Sequence, residues 1–288
     1  MIHSKNKTAR PGPYVLFDVG GTNIRLSISQ TGRSFIKPVI YPTPKKYSQA
    51  LKLFKNKTEE LIGQQKVNQV IGGITGVFDK NHEKLMRSPH LANWCGQPIK
   101  KDLVKLFKAR VRLENDTDLV GLGEAKYGAG KKYRIFSYIT VSTGIGGTRI
   151  LDGQVTESID GLEPGHHIVD ATRMKKFKKH TRGYWEQEAS GKGLFQRFHV
   201  PAEKITDPKI WQEFMDYLAI GLVNVSVFWS PEAIILGGSV MKNPRLKIAK
   251  VAKLLNGYLY VFPKSPRLVK ARLGDFGGLY GALVLAGQ

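Results

Sequence analysis

Twice along this chain an apolar run breaks at a glycine turn and resumes at once. Residues 14–18 meet Gly20, Gly21 and Thr22 and continue as an alternating run over 24–29. Residues 135–141 meet Ser142, Thr143, Gly144, Ile145, Gly146, Gly147 and Thr148 and continue over 149–151. Apolar runs on either side of a turn with so little side-chain bulk read as strand, tight turn, strand. Longer segments of helical periodicity follow each pair, and strand-like and helix-like stretches alternate from end to end, as α/β architecture requires. The repetition over half the chain predicts two similar halves.

Helices are expected over 47–64, 99–108, 117–127, 185–198, 210–229, 243–255 and 276–286, and further strands over 69–74, 111–114, 233–236 and 267–273. With 288 residues, 41% of them apolar, the chain can fill about two domain cores. Its one cysteine, Cys95, excludes an intrachain disulfide and any multi-cysteine zinc site. No stretch approaches the ~20 apolar residues of a spanning helix, and the first twelve residues are polar and basic, unlike a signal peptide. A cytoplasmic protein without membrane contact is expected.

Asp18 stands at a strand end before Gly20, Gly21, Thr22 and Asn23, where a phosphate can approach backbone N–H groups and the carboxylate can hold Mg²⁺ through water. An ordinary hairpin with a capping aspartate has the same sequence. The turn does not stand alone, because Thr143 and Gly144 lie in a second glycine turn and Gly237 and Gly238 in a third, at a strand-to-helix junction suited to a nucleotide. No G-x4-G-K-[ST] occurs, and no G-x-G-x-x-G opens a helix, which speaks against a P-loop ATPase and a nicotinamide enzyme. Glu114, Asn115 and Asp116 end a strand where a helix begins. Asp116 there fits a general base for an attacking hydroxyl, and both Asn115 and Asp116 fit N-caps. Glu163, His166 and Glu186 are polar groups able to grip a polyol. His166 and His167 are neighbours that face opposite ways, so no shared metal ion is expected.

These residues resemble the ROK (repressor, open reading frame, kinase) family of sugar kinases, over about residues 14–286. The resemblance is carried by DVGGTNIR at 18–25, END at 114–116, STGIGG at 142–147, E-x-G-H at 163–166, ILGGSV at 235–240 and LGDFGGLYGA at 273–282. It implies two RNase H-like domains of the actin and hexokinase type around a central cleft: residues 13–116 with the last helix, 274–288, and residues 117–273. It also implies ATP with Mg²⁺ and transfer of the γ-phosphoryl group to the 6-hydroxyl of a hexose, with glucose the expected substrate and other hexoses or N-acetylhexosamines as alternatives. Carried over by position, Asp116 is the base. Gly76, Asn115, Glu163, His166 and Glu186 bind sugar, and Asp18, Gly20, Gly21, Thr22, Asn23, Thr143, Gly144, Gly237 and Gly238 lie on the Mg²⁺ and nucleotide side. A homodimer is implied on the same ground.

The chain departs from the family in two places. The cysteine module C-x-C-G-x-x-G-C-x-E falls on residues 177–186, where all three cysteine positions are lost, so zinc is not expected and the loop must be held by packing, with Phe177, Tyr184 and Trp185 as candidates. Where relatives read N-L-P-x-W, this chain has His90 in place of the asparagine. The thirteen residues before Tyr14 are too few for a three-helix DNA-reading domain, so no sequence-specific regulator is expected.

Net charge is +22, with Arg173, Lys175, Lys176, Lys178, Lys179 and Arg182 forming a run in the loop that lost its cysteines and Lys131, Lys132 and Arg134 a second cluster. Such charge attracts polyanions. Inorganic polyphosphate as an alternative donor, a general nucleic-acid binder and a non-catalytic sugar binder are the competing readings, against a solvated basic surface. No nucleic-acid recognition motif accompanies the charge.

Overall fold

The computed structural model describes residues 12–174 and 182–288. They form two units: the described residues up to Tyr127 with Glu157–Gly161 and Asp275–Gln288, and those of Gly128–Thr156 and Leu162–Gly274.

In the first unit, β1 (Tyr14–Val19), β2 (Asn23–Ser29), β3 (Val39–Pro42), α1 (Tyr47–Ile62), β4 (Gln69–Ile74), the short hairpin β5 (Val77–Phe78) and β6 (Leu85–Arg87), α2 (Ile99–Phe107), β7 (Arg110–Asn115) and α3 (Asp116–Lys126) follow in order. The main sheet runs β3-β2-β1-β4-β7, with β2 antiparallel to β1 and β3, and β1, β4 and β7 mutually parallel. Every residue of β1 is buried, as expected for a strand covered on both faces. Val15, Phe17, Val19, Ile24, Leu26 and Ile28 share a core with residues of α1 and α2, where the Phe17 and Phe54 rings lie 4.8 Å apart. On β1 the residues that alternate with these include Asp18.

In the second unit come β8 (Ile135–Val141), β9 (Ile145–Leu151), β10 (Gln154–Val155), α4 (Trp185–Ala189), α5 (Gly191–Phe198), α6 (Pro208–Trp229), β11 (Ala233–Gly237), α7 (Ile248–Tyr258) and β12 (Arg267–Lys270). The sheet order, β10-β9-β8-β11-β12, repeats that of the first unit, again with two antiparallel and then two parallel pairings. Trp185, Trp211, Phe214, Leu218 and Leu222 are among its fully buried core residues. Asp207 caps α6 by accepting the Lys209 N–H, and Pro208 occupies its first turn.

The last helix, α8 (Gly277–Ala286), returns to the first unit and packs on α3, β1 and β4. Its glycines make that approach possible. A Cβ on Gly281 would strike the Leu119 carbonyl, one on Gly277 would come within 2.8 Å of Val120, and one on Gly278 within 2.7 Å of the Asp18 carboxyl carbon.

Most expected elements occur, and three differ. The helix expected over 185–198 is two helices, because Ser190 is extended (φ −126°, ψ 168°) and its hydroxyl caps α5 by accepting the Gly193 N–H. The helix expected from 243 starts at Ile248, because the Asn243 side chain turns the chain ahead of Pro244 by accepting the Arg245 N–H. β12 stops at Lys270 rather than 273. The short strands β3, β5, β6 and β10 had no period long enough to detect.

Gly281→Ala forces α3 and α8 apart. It should lower stability by about 1–3 kcal/mol in denaturant unfolding, whereas Gly63→Ala, at the exposed end of α1 with open space around it, meets no clash and incurs only the strain of a side chain at positive φ.

Candidate active-site residues

The first unit brings Asp18 and Asp116 within electrostatic reach of one another. Asp18 is buried at the end of β1, and burial raises its carboxyl to about 6 against the opposing pull of Arg25. Asp116, the first residue of α3, stays half-buried. Desolvation and the neighbouring Asp18 charge raise it to about 7, while the Thr117 N–H, at 2.9 Å, and the Thr75 hydroxyl act in the other direction. A carboxylate with this value, still reachable from solvent, is poised to exchange a proton near neutrality. Thr75 had no motif to reveal it.

Asn115 is the N-cap of α3. Its side-chain oxygen accepts from the Thr117 and Asp118 N–H groups at 2.8 and 3.4 Å, and its amide donates to the Gly76 carbonyl at 3.1 Å. Gly76 needs its φ of +132°, and a Cβ there would lie 2.6 Å from the Arg87 carbonyl. Both Asn115 and Asp116 of the END motif meet the helix entry: Asn115 takes the Thr117 and Asp118 N–H groups, and Asp116 shares that of Thr117. Next to them, Glu114 pairs with Arg112 and His82 at 2.8 and 3.2 Å, anchoring the loop between β5 and β6.

In the first glycine turn, the Gly20 N–H donates to the Asn23 carbonyl at 2.9 Å, and Thr43 latches the turn through Gly20 and Thr22. Gly21 and Thr22 are exposed. Gly21 is packed by His90, whose Cβ would be 2.7 Å from an added side chain. His90 thus borders the turn, a placement that the sequence did not reveal.

In the second unit the expected residues gather around the start of β9. The Ile145 N–H donates to Glu186 at 3.1 Å, and the same carboxylate occupies the space beside Gly144 that any Cβ would need. Gly165 packs on the Ile145 carbonyl, and Pro164 on Gly147. That seating holds Glu163 and His166 exposed, their side chains 3.4 Å apart. His167 turns the other way and stacks on buried Trp185 at 5.0 Å, and desolvation lowers it to about 4. The two adjacent histidines do not converge. Among the described residues no group of three or more His, Cys, Asp and Glu is arranged to hold a metal ion.

A cavity of about 630 Å³ opens beside the second glycine turn, lined by residues that include Thr143, Lys192, Phe195, Val240, Lys242 and Arg245. Its wall combines apolar and cationic groups. Gly237 and Gly238 shape the third turn from behind: Tyr138 lies against Gly237, and Gly238, at φ +97°, packs on the Val141 backbone. Lys192, Lys242 and Arg245 belong to no motif and were missed in the sequence.

The loop that lost its cysteines is braced differently from expectation. Phe177 lies outside the described residues, as do Lys175, Lys176, Lys178 and Lys179. Trp185 does pack, against Gly221 and His167. The larger brace is ionic. Glu188 is fully buried and receives Arg173 and Arg182 at 2.9 Å, Arg197 at 3.5 Å and the Gly183 N–H at 3.0 Å. Arg173 also reaches Glu213 at 2.9 Å and Asp170 at 3.1 Å, and Arg197 reaches Glu213 at 3.3 Å. Three arginines face three carboxylates, so the cluster is balanced. Arg173 and Arg182, read in the sequence as part of a basic run, are thereby engaged within the protein.

Removing the carboxylate would strand the arginines. Glu188→Gln should cost about 3–5 kcal/mol in denaturant unfolding, and a chelator should leave the melting temperature of the unaltered protein unchanged. A small loss on substitution would show the cluster to be incidental.

The raised carboxyl of Asp116 also predicts a pH signature. Its folded value, about 7, exceeds the ordinary 3.8, so the folded state binds the proton more tightly and stability declines as pH rises between those values. Asp116→Asn should therefore raise the melting temperature by several degrees at pH 8, with the gain shrinking toward pH 4.

Among the described residues no helix is long and apolar enough to cross a membrane. The fold is similar to that of a ROK hexokinase from Thermus thermophilus, with a TM-score of 0.80 and 26% identity over 94% of this chain and 97% of that one. A ROK family glucokinase from Streptomyces griseus, solved with glucose and AMPPNP, gives 0.79 at 21% identity over 95% and 99%. An N-acetyl-D-glucosamine kinase of Yersinia pseudotuberculosis serotype IB (strain PB1/+) is 29% identical over 94% of this chain and 98% of its own length. Residues 14–288 match the ROK family as a whole. The chain belongs to the ROK family and has the two-domain actin and hexokinase-like fold of that family's sugar kinases.

Proposed function

We propose that this ROK-family sugar kinase transfers the γ-phosphoryl group of ATP to the primary hydroxyl of a glucose-configured sugar, glucose itself or its 2-acetamido derivative. The observation that carries the reading is Asp116, a half-buried carboxylate raised to about 7 beside a second acid. In the proposed step Asp116 takes the hydroxyl proton as the sugar oxygen forms its bond to the γ-phosphorus. The bond from phosphorus to the bridging oxygen breaks, and its electron pair leaves with ADP. Thr117 and Thr75 keep the receiving carboxylate oriented.

Asp18 fits Mg²⁺ held through water, because its buried charge is only partly met by Arg25; among the described residues no group of three His, Cys, Asp and Glu is arranged to hold the ion directly. Magnesium is commonly held by one or two carboxylates with water and substrate phosphates. When bound, the ion neutralises phosphate charge. The cavity beside Thr143 suits a nucleoside with its phosphates better than a bare polyphosphate, since Phe195 and Val240 line it together with the cations. The engagement of Arg173 and Arg182 with Glu188 further weakens the polyphosphate reading. Glu163, His166 and Glu186 are assigned to sugar hydroxyls, as polar groups held together on the second unit. Similarity to the Yersinia enzyme supports the N-acetylated acceptor, and the family resemblance, with the similarity to the Streptomyces glucokinase, supports glucose.

The test is a coupled assay with Mg²⁺ over glucose, N-acetylglucosamine, mannose and fructose, with ATP and long-chain polyphosphate as separate donors. ATP-dependent turnover of one of the first two sugars is expected, and silence with every sugar would overturn the reading. Asp116→Asn should bind sugar normally and lose at least about a hundredfold in kcat; near-normal turnover would remove Asp116 from its role.

A further inference from the structure

Glu186, a carboxylate assigned to sugar hydroxyls, stands on α4, a helix of only 5 residues. A helix that short has no stability of its own in water and takes its direction from what its inner face meets. Successive residues turn by about 100°, so Glu186 and Glu188 project about 200° apart. Their contacts agree. Glu186 accepts the Ile145 N–H beside the second glycine turn, and Glu188 meets the arginines.

The inner face of α4 consists of Trp185, Glu188 and Ala189, all fully buried. Trp185 and Ala189 pack without a preferred direction about the helix axis. Glu188 is held by hydrogen bonds at both oxygens. Arg182 donates to them as a fork at 3.2 and 2.9 Å, the Gly183 N–H donates to Oε1 at 3.0 Å, and Arg173 donates to Oε2 at 2.9 Å. Arg197 adds a bond to the Glu188 carbonyl at 2.8 Å. Burying such a cluster rarely gains stability over apolar packing of equal volume, so what it contributes is a fixed geometry. A binding group has to be held within roughly 0.5 Å and 10–20° to act.

The segment carrying Glu163 and His166 has anchors of its own. Gly165 packs on the Ile145 carbonyl, the Trp185 N–H donates to the His167 carbonyl at 2.9 Å, and the Val169 N–H donates to the Gly183 carbonyl at 2.8 Å. The cluster therefore bears chiefly on the rotation of α4.

We propose that Glu188 is a positioning residue for the sugar site: its pairing with Arg182 and Arg173 sets the rotation of α4 and thereby aims Glu186 at the sugar. This assignment rests on the sugar-kinase reading above. Glu188 is buried and touches neither substrate; it acts through Glu186. These ion pairs stand where relatives carry the cysteine module, so in this chain charge supplies the anchor.

The test is a double-mutant cycle read as sugar affinity. Glucose and N-acetylglucosamine are titrated without nucleotide, at a temperature where every variant is folded, and the tighter of the two is carried through. Arg182→Gln removes the fork from Glu188 and leaves Arg173 in place. Its Kd for sugar should weaken about tenfold, the equivalent of one charge-assisted hydrogen bond. Arg182→Lys keeps the charge without the fork and should recover only part of that loss. Glu186→Gln should weaken sugar binding by itself. In the Glu186→Gln background Arg182→Gln should add less than about twofold, because both changes act through one group. Glu188→Asp, which keeps the charge and withdraws it by one methylene, takes the place of Arg182→Gln if that variant does not fold.

A lowered melting temperature with Kd within about twofold of the unaltered protein would overturn the role and leave the cluster as a brace for stability alone. A tenfold loss that persists in the Glu186→Gln background would overturn it as well. If Glu186→Gln binds sugar as the unaltered protein does, the positioning role falls while the kinase reading stands. If the unaltered protein neither binds nor turns over a sugar, both fall together.

Discussion

The first unit is organised around two carboxylates that repel one another in a desolvated setting. Asp18 and Asp116 come from different strand ends, and each would be more stable in water. Their placement is sustained by the backbone around them. Asn115 and Asp116 share the Thr117 N–H at the N-terminus of α3, Asn115 alone takes the Asp118 N–H, and Gly76 takes a backbone conformation that no other residue holds comfortably. Gly278 lets α8 lie against Asp18. A protein gains nothing in stability from such an arrangement, and perturbed acids of this kind concentrate at functional sites.

The second unit solves a different problem, the anchoring of the segment that precedes Glu186. Where relatives carry a cysteine module, this chain closes the base of the loop with Arg173, Arg182 and Arg197 around Glu188 and Glu213. A buried ionic cluster is tolerated when opposite charges meet, and this one is not fully hydrogen-bonded, since Arg197 keeps Nε and Nη1 without a hydrogen-bond partner. Here the Gly183 N–H completes the set on Glu188. Trp185, wedged against Gly221, fixes the helix on which Glu186 stands, and Glu186 in turn braces the glycine turn through Ile145. The group assigned to sugar and the turn assigned to nucleotide are thus mechanically linked within one unit.

Much of the net charge of +22 has no single purpose in this picture. Two arginines of the densest run are structural, Arg134 pairs with Asp152 at the surface, and Lys132 lies over the Tyr133 ring. Lys192, Lys242 and Arg245 instead line the cavity beside the second glycine turn, together with Glu203. Charge counted along the sequence and charge available to a ligand are different quantities, because a guanidinium facing a carboxylate presents little field to an incoming anion.

The sequence by itself determined the repeated strand, turn and strand, the alternation that makes both units α/β, and the family motifs, because periodicity and glycine placement are local properties. It also singled out Asp18, Asn115 and Asp116, although it left open which of the last two capped the helix. Only the tertiary structure decided that both take part, with the Thr117 N–H shared between them and the Asp118 N–H going to Asn115. It also decided the packing of His90 on Gly21, the contribution of Thr75, the cavity cations and the cluster around Glu188. These join residues far apart in sequence, such as Arg173 and Glu213, whose meeting depends on how helices and loops pack and leaves no period or motif to read. The break at Ser190 is of the same kind. A helical pattern runs through it, and a side-chain cap that the fold makes available prevails over propensity.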